Sequence, residues 1–200
     1  FTSAAGTETF TGAFTSTGTT TFGTGATTFG NNVTISGGTT TATSGTTTVT
    51  GSWDTTGGTF THNLGTVVFT ASTNHALSGS TSVYDLTVTY AGKHSTDSTL
   101  TIAAVTTQTL NGTLIMDGLD TDDRLNLVSS SSGSIATILF AGTSTFSSAA
   151  RDFLDVKDSV LTDSSSGVTV PINPTSSLNS GNTTNWFTTV GGILRPSEGT

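Results

Sequence analysis

The side chains with the most chemistry to offer are carboxylates, and four stand together: Asp117, Asp120, Asp122 and Asp123. Hard cations such as calcium want several carboxylate oxygens at short range. No cofactor is expected, and calcium is the one candidate, with these four as its ligands. Their spacing is not that of an EF-hand loop, and a solvated turn beside Arg124 accounts for the same residues. Asp152, Asp155 and Asp158 recur every third residue, next to Arg151 and Lys157. Paired carboxylates act as acid and base in polysaccharide cleavage. Side chains three apart on a strand fall on opposite faces, however, so these do not read as a converging set. His62, His75 and His94 are single and far apart. Nucleophile-elbow, zinc-protease, dinucleotide and phosphate-loop patterns are missing. The expectation is a protein without catalytic residues, not an enzyme.

Three further features carry weaker signals. Asn32-Val-Thr, Asn111-Gly-Thr and Asn182-Thr-Thr are acceptor sequons, so Asn32, Asn111 and Asn182 are glycosylation candidates. Thr-x-Thr pairs recur, as at 39/41, 46/48 and 107/109, and flat arrays of such pairs resemble ice-binding β-solenoids. β-branched Thr also suits any pleated surface, which is the plainer reading. Trp53 and Trp186 could stack on sugars, but large aromatic side chains serve more readily as core.

The elements that must position these residues are short strands. Phe14, Phe22, Phe29, Ile35, Ala42 and Val49 follow one another at spacings of six to eight, with Thr and Gly between. A heptad helix is excluded by that filler and by the missing charges. Brief strands broken by Gly or Asn turns fit better, and three sides of seven residues make a coil of about 21, in the solenoid range. On that count Phe14, Phe22 and Phe29 line one rung, and Ile35, Ala42 and Val49 the next. Longer strands are expected at 83–90, 99–105, 112–118, 124–130, 134–142, 152–159 and 167–174. Alternation then selects Phe14, Phe22, Phe29, Ile35, Val49, Val68, Leu86, Val88, Ile102, Leu114, Leu127, Leu139, Phe153, Val156, Val168 and Val170 as the inward set.

Composition agrees. Of 200 residues, 50 are Thr, 27 Ser and 24 Gly, while charged residues are 9% and the net charge is −8. An average domain has about 25% charged residues, and Thr and Gly are poor helix formers. The five basic residues, Lys93, Arg124, Arg151, Lys157 and Arg195, are scattered, so nucleic acid is not an expected partner. No apolar run is long enough for a transmembrane segment. Without cysteine there is no disulfide framework. Charge is uneven too: residues 1–52 hold only Glu8, and thirteen of the eighteen charges lie after residue 100.

From Trp53 onward the wording resembles a known kind of module. WDTTGGTF (53–60) leads into GTVVF (65–69) and YDLTV (84–88), and the chain closes on DFLDVKDS, INP and NSGNTTNWF. This resembles the Thr/Ser/Gly-rich parallel β-helix modules of bacterial and metagenomic secreted surface proteins. The resemblance implies a right-handed parallel β-helix on the cell surface and no activity.

The expected fold is therefore all-β, a right-handed parallel β-helix or β-solenoid, with a pilin-like β-sandwich as the alternative. Residues 1–52 form a narrow Thr-rich part, 53–187 a broader part, and 188–200 a linker or tail. The expected role is structural and extracellular: a subunit or segment of a surface filament, sheath or stalk built by strand stacking. Open first and last rungs would let it self-associate into a homopolymer through the chain termini. An adhesin-like solenoid binding glycans, or an ice-binding one, is the alternative, and a polysaccharide lyase or hydrolase comes last.

Overall fold

Extended backbone suits β-branched Thr, and Gly suits the bends between strands. The computed structural model describes residues 1–3, 6–70, 74–89, 96–146 and 151–188. Among these there is no helix, and 21 strands stack as a parallel β-solenoid of about seven turns. The first coil holds β1 (Glu8–Phe10), β2 (Phe14–Ser16) and β3 (Thr20–Thr21). The second holds β4 (Thr27–Phe29), β5 (Val33–Ile35) and β6 (Thr39–Thr41), and the third β7 (Thr46–Val49), β8 (Trp53–Asp54) and β9 (Thr59–Thr61). Then come β10 (Thr66–Thr70), β11 (His75–Ser78) and β12 (Thr81–Val83), followed by β13 (Asp85–Thr89), β14 (Ser98–Ile102) and β15 (Thr107–Leu110). The sixth coil holds β16 (Thr113–Asp117), β17 (Leu125–Ser129) and β18 (Ala136–Phe140). β19 (Thr145–Phe146) and the long β20 (Leu154–Asp163) make the seventh, and β21 (Leu178–Thr184) lies on β20.

The first strand of every coil joins one seven-stranded sheet, here face 1. The second strands form face 2, from β2 to the start of β20. The third strands form face 3, where β3, β6 and β9 make one ladder and β12, β15, β18 and the end of β20 another. Every pairing is parallel, so the antiparallel sandwich is not adopted.

Register fixes coil size. Phe14 pairs with Val33, 19 residues on, and Phe29 with Val49, 20 on. Later coils are longer: Ser98 pairs with Leu125, 27 on, and Thr113 with Thr145, 32 on. The 21-residue coil inferred from apolar spacing is thus one or two residues too long. Phe29 does stack on Val49, but Val33 rather than Ile35 lies over Phe14, and Ile35 lies over Ser16.

The core is a set of vertical columns. On face 1, Phe10, Phe29, Val49, Phe69, Val88 and Met116 succeed one another in register, and all but Phe10 are buried. On face 2, Leu100, Leu127 and Val156 do the same. Most of the expected inward set is buried, with corrections. Val68 and Leu139 face outward, since Val67, Phe69, Ile138 and Phe140 are the inward residues of their strands. Phe14, Phe153 and Val170 are half-buried. Residues 167–174 are no strand, and contain a cis Val170–Pro171 bond. Several strands fall outside the expected segments, among them β11, β15, β19 and β21.

Polar side chains stitch the corner between faces 1 and 2. Asn32 Oδ1 accepts the Ser52 N–H (2.8 Å), Ser52 Oγ the Ala76 N–H (3.1 Å), Asn74 Oδ1 the Thr99 N–H (2.9 Å) and Asp97 Oδ1 the Arg124 N–H (2.8 Å). Each coil thereby satisfies a backbone donor of the next. At the last coils, Val168, Ile172 and Trp186 are buried against the core, and Trp186 Nε1 donates to Ser159 Oγ (3.1 Å). The core is therefore covered there by side chains, where the sequence had offered no obvious cap. Residues 189–200, most of the expected tail, lie outside the described residues.

Candidate functional site

The acidic loop is the corner that joins β16 to β17. Two of its carboxylates cap backbone donors. Asp117 Oδ1 accepts the Asp152 N–H (2.9 Å), and Asp120 Oδ1 accepts those of Asp122 (2.8 Å) and Asp123 (3.1 Å). Asp123 is fully buried and Asp122 exposed. Arg124 Nη1 donates to the Ser176 carbonyl (2.6 Å). Burial pushes the Asp117 carboxyl above its ordinary value and repulsion from Asp152 adds to this, while the Asp152 N–H bond pulls it back. Among the described residues, no group of three or more His, Asp or Glu side chains is arranged to hold a metal ion.

The stacking brings Asp117 and Asp152 together across 35 residues. Residue types and spacing carry no signal for this pair, because coil length is irregular there. The strip Asp152, Asp155 and Asp158 does not converge. Asp155 sits half-buried on β20, and Asp158 is buried at a corner with φ 53°. Asn182, also at φ 53°, is stacked on Asp158, and its Nδ2 donates to Asp158 Oδ1 (2.7 Å). That bond, a second from the Gly133 N–H and the nearby Lys157 charge hold the Asp158 carboxyl below its ordinary value. Arg151 is engaged elsewhere, donating from Nη1 to the Ile172 carbonyl (2.7 Å) and lying 5.9 Å from the Phe146 ring centre.

His62 and His75 serve separate local contacts. His62 Nδ1 accepts the Leu64 N–H (3.1 Å), and burial pushes its ring below the ordinary value. His75 is buried on face 2, its ring nitrogens 2.8 Å from the Gly51 and Thr70 carbonyl oxygens, which ties one coil to the next. His94 lies outside the described residues. Trp53 and Trp186 are both buried, so neither offers a ring for sugar stacking.

The sequons differ atom by atom. Asn32 is exposed, and of its side-chain atoms the oxygen takes part in a hydrogen bond, from the Ser52 N–H. Asn111 Nδ2 donates to Ser82 Oγ (2.8 Å) and the Val83 carbonyl (3.2 Å), and Asn182 Nδ2 to Asp158.

Face 3 shows a regularity that the apolar spacing concealed. Thr39 and Thr41 pair with Thr59 and Thr61, and Thr21 pairs with Thr41. Thr21, Thr39, Thr41, Thr59 and Thr61 point outward around the inward Thr20, Thr40 and Phe60. The result is two hydroxyl columns repeating every 20 residues, a spacing visible in the sequence as Thr19-x-Thr21, Thr39-x-Thr41 and Thr59-x-Thr61.

Fold and surface together define a threonine-rich parallel β-solenoid. Compared with known proteins, the chain matches no family model, no curated protein and no solved structure. No helix among the described residues is long and apolar enough to cross a membrane.

Proposed function

We propose that the chain is a structural, non-catalytic protein of the cell exterior, a subunit or segment of a surface filament, sheath or stalk. The observation that carries this is the ladder itself. Faces 1 and 2 continue from the first coil to the last in parallel register, and face 3 does so in two ladders, so each coil is a template for the next. Among the described residues β1 pairs only with β4 and β2 only with β5, and the adjoining Phe10 and Phe14 are half-buried. A further coil, of a longer chain or of a second copy, would extend those ladders and cover those rings. The low charge and hydroxyl-rich surface fit an exported polymer. Immunogold electron microscopy of the producing cells, with an antibody against the folded chain, is the test. Decorated surface filaments or stalks are expected, and label confined to the cell interior would refute the reading. Self-association is tested separately by sedimentation. Phe10→Asp with Phe14→Asp should abolish any assembly through this edge.

A second reading is favoured by the hydroxyl columns of face 3. Alternate side chains on a strand are roughly 6.8 Å apart and neighbouring strands about 4.8 Å. Such a lattice suits an ordered water layer, hence an ice surface. Thermal hysteresis that disappears in Thr39→Lys with Thr41→Lys would support ice binding, and its absence in the unaltered chain would remove it.

A further inference from the structure

A sequon is a sugar acceptor only through its amide nitrogen, so the three can be ranked by what that nitrogen is doing. At Asn182 it donates to the Asp158 carboxylate (2.7 Å), and this bond joins two stacked corner residues that both have positive φ. At Asn111 it donates twice, to Ser82 Oγ and the Val83 carbonyl, and the sequon hydroxyl of Thr113 is hydrogen-bonded to Thr145 (3.1 Å). In each case at least one acceptor is a carboxylate or carbonyl oxygen, which fixes the amide orientation. At Asn32 the arrangement is reversed. The oxygen faces the Ser52 N–H (2.8 Å), so the nitrogen faces outward from an exposed corner. Among the described residues no acceptor is bonded to it.

We propose that Asn32, alone of the three sequons, is an N-glycan attachment site of the folded protein. The inference rests on the extracellular reading above, because it needs an export pathway that carries an oligosaccharyltransferase. The donor is an oligosaccharide linked through its first sugar to a lipid pyrophosphate. The Asn32 Nδ2–C1 bond forms as the bond from C1 to the phosphate oxygen breaks. The lipid pyrophosphate leaves with the electron pair, and one amide proton passes to a base of the transferase. The product keeps its carbonyl oxygen, so the bond from Ser52 survives. The same transfer at Asn182 would push a sugar against Asp158, and at Asn111 it would break the bonds to Ser82 and Val83. The glycan at Asn32 would stand at the corner between faces 1 and 2, clear of the Thr columns of face 3.

The test is to secrete the full chain, with an added leader, from a host that performs N-glycosylation, and to map occupancy by peptide mass spectrometry after amidase release in heavy-oxygen water. Occupancy at Asn32 should exceed that at Asn111 or Asn182 by about tenfold or more, the factor associated with one net hydrogen bond. Asn32→Gln should remove the glycan, and Asn182→Gln should leave it. The purified folded chain, offered in vitro to the transferase and its lipid-linked donor, should give the same ranking. An unmodified Asn32, or equal occupancy at Asn111 or Asn182, would overturn the proposal. Because the leader imposes export, such a failure leaves the extracellular reading to its own microscopy test.

Discussion

The first three coils and the fifth and sixth solve one packing problem in two ways. Strands near the start are three residues long with two inward positions, as in β4 and β5, and close a turn in 19 or 20 residues. Strands β14, β17 and β18 are five long with three inward positions, in turns of 27 to 30 residues. Two extra residues per strand add one inward side chain and widen the core. The narrow coils fill their interior with Phe22, Phe29 and Val49 beside buried Thr20, Thr27, Thr40 and Thr47. The wide coils use Leu100, Leu114, Leu125, Leu127 and Ile138. Thr has nearly the volume of Val, so it fits the narrow bore, but its hydroxyl needs a partner. Thr20 Oγ1 meets Ser16 Oγ at 3.0 Å, whereas Thr40 Oγ1 has no partner among the described residues. The wide core is thus held by apolar burial, and the narrow one by rings plus polar stitching.

The largest effect should come from charging the wide core. Leu127, 1% exposed between Leu100 and Val156, is the place. Leu127→Asp should cost about 4 kcal/mol or more, since the carboxylate must ionise in an apolar column or stay protonated. A melting temperature within a few degrees of the original would contradict the register. Next is the ring cluster of the narrow coils. Phe29 has Phe10, Phe14 and Phe22 within 5.0 to 5.6 Å, centre to centre. Phe29→Ala should cost about 3–5 kcal/mol by denaturant unfolding. A loss near 1 kcal/mol would mean that the narrow coils collapse around the gap and are softer than the wide ones.

A smaller, pH-dependent effect belongs to the corner of β20. The Asp158 carboxyl is held below its ordinary value, so its contribution is present above the ordinary carboxylate range and is lost as pH falls through the depressed folded value. Asp117 has the opposite sign: its raised carboxyl disfavours folding when ionised, a penalty relieved as pH falls through the raised value. Asn182→Ala should shift acid unfolding to higher pH and Asp117→Asn should not. Equal acid titrations for Asn182→Ala and the unaltered chain would remove Asp158 from that role. Smallest, and opposite in direction, is Thr40→Val. It deletes a buried hydroxyl without a partner and should stabilise by about 1 kcal/mol. A loss of stability would show that the Thr40 hydroxyl is satisfied after all.

The parallel stack and most of the core were legible from Thr/Gly filler, short apolar spacing and strand alternation. Coil length was not, because apolar residues fall at corners as well as on strands. Phe22 and Ala42 follow β3 and β6 rather than lying on them, which spread the apparent rhythm to seven. The 20-residue repeat was carried instead by Thr-x-Thr and by corner glycines such as Gly18 and Gly38. Gly38 has φ +63°, and a Cβ there would meet Gly18 backbone at 2.5 Å. Val68 and Leu139 were misassigned because both lie in apolar runs, VVF and ILF, where alternation has no phase. Among the candidate sites, the Asp cluster was visible, but its use as backbone caps depends on the loop conformation. The Asp117–Asp152 and Asp158–Asn182 contacts depend on inter-coil register, which residue types alone do not encode.

Register is therefore the claim to test most directly, and the absence of cysteine makes the test clean. Thr48 and Val68 are outward partners on β7 and β10, so Thr48→Cys with Val68→Cys should oxidise readily to a disulfide while the strand signal in circular dichroism is kept. Thr48→Cys with Thr70→Cys, displaced by two residues on the same face, should close far more slowly. Equal closure of both pairs, or preferential closure of the displaced pair in a folded chain, would contradict the 20-residue stack.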